Sequence, residues 1–190
     1  MLEGFLLVMS GPSGVGKGTI VKEILKQRHD TVVSISVTTR YKRDGELDGR
    51  DYFFVSEDEF ENMVNNKKLL EYASVHNNHY GTPKEFVDKM ISEGKVVILE
   101  IDVQGAEQIK KTYENAIYVF VIPPRMKDIH ERLKKRGTED EEKIKLRLEN
   151  SKKEFDHIKD YDYFLVNDKV EYATERLHHI IEEEKEIRRK

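Results

Sequence analysis

The sequence predicts an α/β fold in which helices cover both faces of a parallel five-stranded sheet. The first observation behind this prediction is a set of short, largely uncharged runs rich in Val, Ile and Phe, namely Phe5–Met9, Val32–Val37, Val96–Ile101, Ile117–Ile122 and Tyr163–Val166. Such runs are typical of strands that are buried on both faces. The second observation is that helical patterns separate most of the runs, which favours parallel strands joined by crossover helices.

Sequence signals mark where several helices begin. Residues 18–26 place apolar side chains on one face of a helix directly after the first strand. Pro83 suits a first helical position, and Gly94 is expected to end the helix that follows it. The last helix is predicted to begin near Val170. A Ser or Thr followed three residues later by Glu predicts a capping box, and three such pairs occur: Ser56 with Glu59, Thr82 with Glu85, and Thr138 with Glu141.

Two stretches depart from the alternation of strand and helix. Residues 38–82 lack a long helical pattern and are rich in Arg, Gly, Asp and Tyr, which indicates a small lobe inserted after the second strand. Residues 126–158 are charged and helical in pattern, with few apolar anchors, which indicates a solvated flap after the fourth strand. The predicted core therefore comprises residues 1–37, 83–125 and 159–190.

Length, charge and cysteine content limit the class of protein. The 190 residues fit one compact domain with room for small lobes. The 33 basic residues nearly balance the 37 acidic ones, which argues against a nucleic-acid partner but allows a local Arg cluster to bind a small anion. The absence of cysteine excludes disulfides, thiol catalysis and Cys-based zinc sites.

The N-terminal segment gives no sign of export or of membrane insertion. It lacks a basic region followed by a long apolar stretch, and Phe5–Met9 is too short to span a bilayer. We therefore expect a cytoplasmic protein without a membrane partner. The sequence leaves open whether the protein is a monomer or a homo-oligomer.

A phosphate-binding loop joins the first strand to the first helix. Glycines let successive backbone N–H groups point inward, the helix N-terminus adds positive partial charge, and Lys17 supplies a full charge for β- and γ-phosphates. This context predicts a P-loop that binds ATP and supports a P-loop NTPase-type fold, although it does not separate a kinase from an ATPase, a GTPase or a motor. The predicted ATP-binding residues are Gly11, Pro12, Ser13, Gly14, Val15, Gly16, Lys17, Gly18 and Thr19.

The loop departs from the usual pattern at one position. A Ser or Thr commonly follows the lysine and binds magnesium, but this chain has Gly18 there. Thr19 is placed to bond an α-phosphate oxygen instead. We expect Mg²⁺ to be held mainly by water and phosphates, which this ion tolerates well.

The inserted lobe contains the side chains that an acceptor nucleoside monophosphate requires. Arg40 and Arg43 lie three residues apart beside hydroxyl groups, and Arg forks bind phosphate in a bidentate manner. Two tyrosines, Tyr52 and Tyr80, and the carboxylate of Glu71 follow in the same lobe. The joint spacing of these side chains indicates a second nucleotide site.

Taken together, the motifs resemble those of the guanylate kinase family over nearly the whole chain. Several motifs in order are more specific than any one of them. Besides the P-loop, the matching segments are Thr38–Arg43, Gly49–Phe54, Tyr80–Thr82, Ile101–Gly105 and Arg136–Glu139. The resemblance implies an enzyme that phosphorylates GMP with ATP and magnesium.

The resemblance assigns the acceptor residues. It places Arg40, Arg43, Tyr52 and Tyr80 on the GMP phosphate, and Ser36, Glu71, Thr82 and Asp102 at the guanine base. Glu71 would accept hydrogen bonds from N1–H and the 2-amino group. Adenine lacks both donors, so a buried Glu71 would be left unpaired with adenine, and this mismatch is costly.

The resemblance also assigns a lid and the charged groups of catalysis. It makes the flap a lid whose Arg132, Arg136 and Arg147 reach over the phosphates, and it implies transition-state stabilisation by Lys17, Arg40, Arg43, Arg136 and Arg147. It places Arg132, Arg136 and Asn167 at ATP. Glu100 lies where the family usually has Asp, and it is expected to act on the metal through water.

Two alternatives remain at this point. One is a kinase for another nucleoside monophosphate, because adenylate kinases also have Gly-Thr after the P-loop lysine. The other is a non-catalytic guanylate-kinase-like module that binds phosphorylated peptides in protein scaffolds. The intact P-loop and the absence of accompanying domains argue against the second alternative.

Overall fold

The computed structural model describes residues 4–75, 77–125, 127–128 and 154–189. The strands in these ranges are β1 Phe5–Ser10, β2 Thr31–Val33, β3 Val37–Thr38, β4 Phe53–Phe54, β5 Leu69–Val75, β6 Asn78–Pro83, β7 Val96–Glu100, β8 Ile117–Ile122 and β9 Tyr163–Val166. The α-helices are α1 Lys17–Gln27, α2 Glu57–Asn65, α3 Lys84–Ser92, α4 Val103–Thr112 and α5 Val170–Arg188. A 3₁₀ turn occupies Ile158–Asp160.

Five strands form a parallel sheet in the order β2-β7-β1-β8-β9. The three central strands are almost entirely buried, as their continuous apolar sequences require. Helices connect the strands and lie on both faces of the sheet. The predicted α/β fold of the P-loop NTPase type is confirmed.

Alternate residues of β1 supply the two halves of the core. Leu7 and Met9 pack with apolar residues of α1 and α5 on one face, whereas Leu6 and Val8 pack with residues of α3 and α4 on the other. This alternation is the two-residue period of a strand. Burying each of these side chains contributes roughly 1.5–3 kcal/mol relative to exposure.

A smaller sheet has the strand order β4-β3-β6-β5. Its β3–β4 pair is parallel, while β3–β6 and β5–β6 are antiparallel. Helix α2 packs beside it through buried Phe60, whose ring lies 5.2 Å from that of His79. The predicted capping box of α2 is confirmed, since Ser56 Oγ accepts a hydrogen bond from the Glu59 backbone N–H and the Glu59 carboxylate accepts one from the Ser56 N–H.

The predicted single strand Val32–Val37 is wrong, because its residues contribute to both sheets. The Ser34 N–H donates to the Ile98 carbonyl oxygen at 2.9 Å just after β2 ends. The chain then crosses to the smaller sheet, where the Ser36 carbonyl accepts a 2.9 Å hydrogen bond from Phe53. One apolar run therefore connects the main sheet to the smaller sheet.

The capping box predicted from Thr82 and Glu85 is also wrong. Thr82 lies in β6, and its hydroxyl donates to Glu71 instead of capping a helix. Helix α3 begins at Lys84, so Pro83 is its N-cap residue rather than its first helical residue. The box predicted at Thr138 lies outside the described residues.

The predicted end of α3 and the predicted start of α5 are confirmed. Gly94 has φ 79°, and its N–H donates to the Ile91 carbonyl oxygen at 2.9 Å, which closes the last turn of α3. Helix α5 begins at Val170 and packs its apolar face on the main sheet. Among the described residues, no helix is both long enough and apolar enough to cross a membrane.

Candidate active site

The P-loop turns sharply between β1 and α1. Gly11 has φ 140°, and a Cβ at this position would collide with the Val121 carbonyl oxygen of the adjacent strand. Gly16 has φ 100° and is the N-cap residue of α1. Because glycine has no side chain, Gly16 does not compete with a ligand for the N–H groups of the first helical turn. This arrangement suits an anion at the helix N-terminus.

Lys17 lies in a strongly charged environment. Its ammonium group donates to the Gly11 carbonyl oxygen across the loop. Burial lowers the pKa of Lys17, while the carboxylates of Glu100, Glu154 and Asp102 oppose this shift. The lysine is thus a cation in a cluster of acids that lies beside the phosphate loop.

Asn167 binds the backbone of the P-loop through its side chain. Its side-chain amide donates to the Val15 carbonyl oxygen at 2.7 Å, and both residues are buried. The Asn167 N–H also donates to the Ile122 carbonyl oxygen at 2.8 Å at the end of β8. The structure therefore gives Asn167 a role in positioning the loop, and its expected place beside adenine stays a prediction.

Glu71 is a buried carboxylate on β5. It is 8% exposed, and the Thr82 hydroxyl donates to its Oε1 at 2.6 Å. Burial raises the pKa of Glu71, the Thr82 hydrogen bond opposes this, and the charge of Asp102 adds to it. A Cβ on Gly105 would lie 3.2 Å from Glu71 Oε2, so glycine at this position leaves space beside the carboxylate.

Three of the residues predicted at the base come together around this carboxylate. Asp102 caps α4 by accepting a 2.9 Å hydrogen bond from the Gly105 N–H, and its charge acts on Glu71. In the smaller sheet Gly81 pairs with both Val37 and Tyr72. The neighbouring positions on these strands belong to Ser36, Thr82 and Glu71, which the register therefore brings to one region.

Three of the predicted phosphate residues, Arg40, Tyr52 and Tyr80, form a second group beside the smaller sheet. The Arg40 guanidinium lies 5.4 Å from the centre of the Tyr52 ring, and the Tyr52 and Tyr80 rings are 6.0 Å apart. Arg40 donates to both carboxylate oxygens of Glu46, at 2.8 and 3.0 Å. Arg43 is exposed, and its backbone N–H donates to the same carboxylate at 2.8 Å.

Glu46 is a residue that sequence reasoning missed. Its two hydrogen bonds from Arg40 and one from the Arg43 backbone hold its pKa below the usual range. Both bonds from Arg40 come from its Nη2, so the Glu46 carboxylate occupies a guanidinium nitrogen that a phosphate would use. The short spacing from Arg43 to Glu46 was the only available signal.

Gln108 was also missed, and it connects the two sheets. Its side-chain oxygen accepts from the Tyr72 N–H and its side-chain nitrogen donates to the Tyr72 carbonyl, each at 3.1 Å. This pair of bonds continues the strand pairing of β5 onto helix α4. It fixes the backbone next to Glu71.

Glu154 is the third missed residue. Burial raises its pKa to about 7, although Lys17 opposes the shift, and its Oε2 is buried without a hydrogen-bond partner in the described part of the chain. Phe155 packs 5.6 Å from the Phe120 ring, and His157 lies 2.8 Å from Glu107 on α4. The segment is therefore anchored on the core, with an acid near the P-loop lysine.

Glu100 lies at the end of β7 beside the first turn of α1. Its Oε2 is 3.3 Å from the position that a Cβ on Gly18 would occupy. No cluster of three or more His, Asp or Glu side chains suited to a metal occurs among the residues described. The donor set fits a cation that draws most of its ligands from phosphates and water, as Mg²⁺ does.

The expected lid arginines, Arg132, Arg136 and Arg147, lie outside the described residues. The remaining ATP-site predictions fall on the P-loop itself, where Pro12 and Val15 are buried, Ser13, Gly14 and Gly18 are half-buried, and Thr19 is exposed on α1.

Known proteins share this architecture. A structure of guanylate kinase from Anaplasma phagocytophilum matches with a TM-score of 0.73 and 32% identity, over 96% of this chain and 87% of that chain. Shikimate kinase from Bacteroides thetaiotaomicron matches with a TM-score of 0.51 and 15% identity, over 94% of this chain and 98% of that one, and this likeness concerns the fold alone.

Sequence comparisons are more specific. A guanylate kinase of Caldanaerobacter subterraneus subsp. tengcongensis is 46% identical over 183 residues, which cover 96% of this chain and 89% of the relative. A guanylate kinase of Lactococcus lactis subsp. lactis is 49% identical over 182 residues, with coverage of 96% and 89%. The family model described as guanylate kinase matches residues 4–184, a span that includes the P-loop, both sheets and Glu71. The chain belongs to the guanylate kinase family.

Proposed function

We propose that this protein transfers the γ-phosphoryl group of ATP to GMP and releases ADP and GDP. The observation that carries the proposal is the buried carboxylate of Glu71, which Thr82 binds on the smaller sheet, with Arg40 two residues after β3 of the same sheet. Guanine offers two N–H donors to such a group and adenine offers neither. Membership of the guanylate kinase family supports the same reaction.

Glu71 would read the base by accepting hydrogen bonds from guanine N1–H and the 2-amino group. Thr82 donates to one carboxylate oxygen at 2.6 Å, so it orients the group and leaves acceptor capacity on both oxygens. Ser36 and Asp102 lie in the same region and would complete the contacts to the base. Because Glu71 is buried, losing these partners leaves a desolvated acid unpaired.

The GMP phosphate would bind Arg40, Arg43, Tyr52 and Tyr80. Without a ligand, Arg40 is paired with Glu46 at 2.8 Å. A phosphate of higher charge would compete for the same guanidinium nitrogen. Glu46 would therefore keep Arg40 oriented until GMP arrives.

ATP would bind the P-loop, with Lys17 on the β- and γ-phosphates, Thr19 on the α-phosphate and Asn167 near adenine. When bound, Mg²⁺ would supply positive charge that offsets the negative charge developing during transfer. Glu100 would hold this ion, in the simplest arrangement through water. Lys17, Arg40, Arg43, Arg136 and Arg147 would stabilise the charge on the moving phosphoryl group. A nucleotide phosphate oxygen is already a nucleophile, so no side chain need act as a base.

We also propose the division of the chain that this reaction requires. Residues 1–37, 83–125 and 159–190 would form the nucleotide-binding core, residues 38–82 the GMP-binding lobe, and residues 126–158 a lid. A lid that carries Arg132, Arg136 and Arg147 would exclude water, which otherwise competes with GMP for the phosphoryl group.

The proposed setting is the cytoplasm, where both substrates occur, without a nucleic-acid or membrane partner. The net charge of −4 supports small nucleotides over nucleic acid as ligands.

The test is an ADP-release assay with ATP, magnesium and one acceptor at a time: GMP, AMP, UMP, dTMP or none. Fast turnover with GMP alone is the expected result. Fast turnover with another acceptor would still support a kinase, but it would overturn the proposal that Glu71 recognises guanine. ATP binding without turnover on any acceptor would favour the non-catalytic binding module.

A further inference from the structure

The segment just before the 3₁₀ turn brings an acid to the P-loop. Glu154 is half-buried, and its Oε2 is shielded from solvent without a hydrogen-bond partner in the described ranges. Phe155 packs against Phe120 with ring centres 5.6 Å apart, and His157 Nδ1 lies 2.8 Å from Glu107 Oε1 on α4. These contacts fix the segment on the core, so the position of the carboxylate is set by packing.

Charged groups from α1, from α4 and from its own segment act on the Glu154 carboxylate. Burial raises the pKa of Glu154 to about 7, and Asp102 at the start of α4 adds to this shift. Lys17 at the start of α1 and His157 oppose it. On the other side lies Tyr161, whose own pKa is raised to about 12 by burial and by nearby acids that include Glu154. Glu154 is therefore balanced between its charged and its neutral form near pH 7.

A bound triphosphate would change this balance in one direction. Lys17 is proposed to bind the β- and γ-phosphates, so its positive charge would be shared between them and Glu154. The phosphates would also repel the Glu154 carboxylate, as Asp102 already does. Because the carboxylate is shielded from solvent, salt and water reduce these effects only in part. Both effects favour the neutral acid.

We propose that Glu154 is the counterion of Lys17 in the nucleotide-free protein and that it takes up one proton when ATP binds the P-loop. This inference rests on the proposed function for the identity of the ligand, and it adds a proton to the binding reaction. The proton comes from the solvent and is held on the carboxylate, so the site loses one negative charge as the phosphates bring in several. Lys17 keeps its charge and becomes available to the phosphates.

The first test counts the protons that ATP binding takes up. Calorimetry with ATP and excess Mg²⁺, without acceptor, is run at pH 7.5 in two buffers of different ionisation enthalpy. Excess Mg²⁺ keeps ATP itself from titrating in this range. The wild type is expected to take up roughly 0.5–0.8 protons per ATP, which is the fraction of Glu154 that is ionised before binding. In Glu154→Gln the uptake should be near zero.

The second test is the pH profile of the Kd of ATP with excess Mg²⁺. The neutral form of Glu154 is the one that favours binding, and it is depleted as pH rises through about 7. Affinity of the wild type should therefore fall about 10-fold between pH 6.5 and 8.5. Glu154→Gln mimics the neutral acid, so its Kd should stay near the low-pH value of the wild type throughout. A purely structural role of Glu154 would change the Kd by the same factor at every pH.

Two control variants separate Glu154 from other titrating groups. Histidine side chains commonly titrate near neutral pH, so His157→Gln tests the other candidate on the same segment and should retain the proton uptake. Glu186→Gln removes an exposed carboxylate of α5 and should behave as the wild type does. Uptake that survives Glu154→Gln, or that is lost as fully in His157→Gln, would overturn the proposal.

The result is independent of the acceptor. If the wild type phosphorylates GMP but binds ATP without proton uptake, the proposed function stands and this inference fails. If the wild type binds ATP with the expected uptake but phosphorylates no nucleotide, the role of Glu154 stands and the proposed function fails. A wild type that does not bind ATP would contradict both.

Discussion

At the scale of single residues, the site contains two carboxylates that are partly or fully buried. One of them, Glu71, is proposed to recognise the base, and burial raises the pKa of both. Glu71 and Glu154 are both shifted toward the neutral acid by burial. Glu71 has the Thr82 hydroxyl as a donor, whereas Glu154 Oε2 has no partner in the described ranges. The Glu71 carboxylate is therefore oriented for a ligand. The Glu154 carboxylate, when charged, lowers the stability of the folded protein and places a negative charge near Lys17.

Glu71→Gln is expected to remove guanine selectivity. The amide keeps the size of the side chain, but it loses the charge and offers N–H donors toward the donors of guanine. The value of kcat/KM for GMP should fall about 100-fold, which corresponds to losing roughly 3 kcal/mol of charged hydrogen bonding. Steady-state kinetics with GMP and AMP measure the selectivity, and the Kd of ATP should stay unchanged. Selectivity equal to that of the wild type would refute the assignment.

Glu154→Gln is expected to stabilise the protein at high pH only. The folded pKa of about 7 exceeds the ordinary value of 4.5, so the folded state holds its proton more tightly than the unfolded state. The stability of the wild type therefore falls as pH rises from 4.5 to 7, and glutamine, which mimics the neutral acid, avoids this loss. Partial access of water reduces the effect to about 1–2 kcal/mol above pH 7.

Urea unfolding of both proteins between pH 5.5 and 8.5 measures this difference. It should grow as pH rises and level off above pH 7. Glu186→Gln removes an exposed carboxylate on α5 and serves as the control, with a change near zero at every pH. A stability difference that is constant across the range would contradict the expected titration.

At the scale of secondary-structure elements, the site depends on how α4 and β5 are joined. Asp102 is the N-cap residue of α4, and six residues later Gln108 binds both backbone polar groups of Tyr72. The same helix thus fixes the acid near the P-loop and the strand that presents Glu71. The Gln108 side chain pairs with the β5 backbone as a neighbouring strand would, and it thereby sets the position of the smaller sheet relative to α4.

Gln108→Ala is expected to raise KM for GMP about 3- to 10-fold, because two backbone groups of β5 lose their partners and Glu71 is held less firmly. The kcat value and the Kd of ATP should change little, since the P-loop is untouched. Gln27→Ala removes an exposed glutamine from α1 and serves as the matched control. Equal loss of GMP and ATP affinity in Gln108→Ala would indicate a general folding defect instead.

At the scale of the whole molecule, the main sheet was accessible from sequence and the smaller sheet was not. Runs such as Ile117–Ile122 are apolar throughout, so burial on both faces makes them visible as strands. Strands β3 and β4 have two residues each, and they exist because distant segments pair with them. The run Val32–Val37 looked continuous because apolar character does not reveal which sheet a residue joins.

The same distinction applies to the site. The P-loop and the Arg40–Arg43 spacing are local patterns whose chemistry follows from neighbours in sequence. Gln108 reaches a strand 36 residues away, and Glu154 acts on a lysine far earlier in the chain. Such residues have no local signature, because their roles arise only when the chain is folded.

A single ligand that reaches both proposed nucleotide sites should bind more tightly than ATP or GMP alone. A compound in which a phosphate chain joins adenosine to guanosine would place its adenosine end at the P-loop and its guanine at Glu71. The second contact is then intramolecular, so affinity should exceed that for ATP or GMP by about 100-fold or more when the chain length fits. At equal concentrations the thermal shift should be larger for this compound than for ATP and GMP added together. In Glu71→Gln the shift should fall to that of ATP alone, whereas a shift that is unaffected by this substitution would mean that the two proposed sites do not share one cleft.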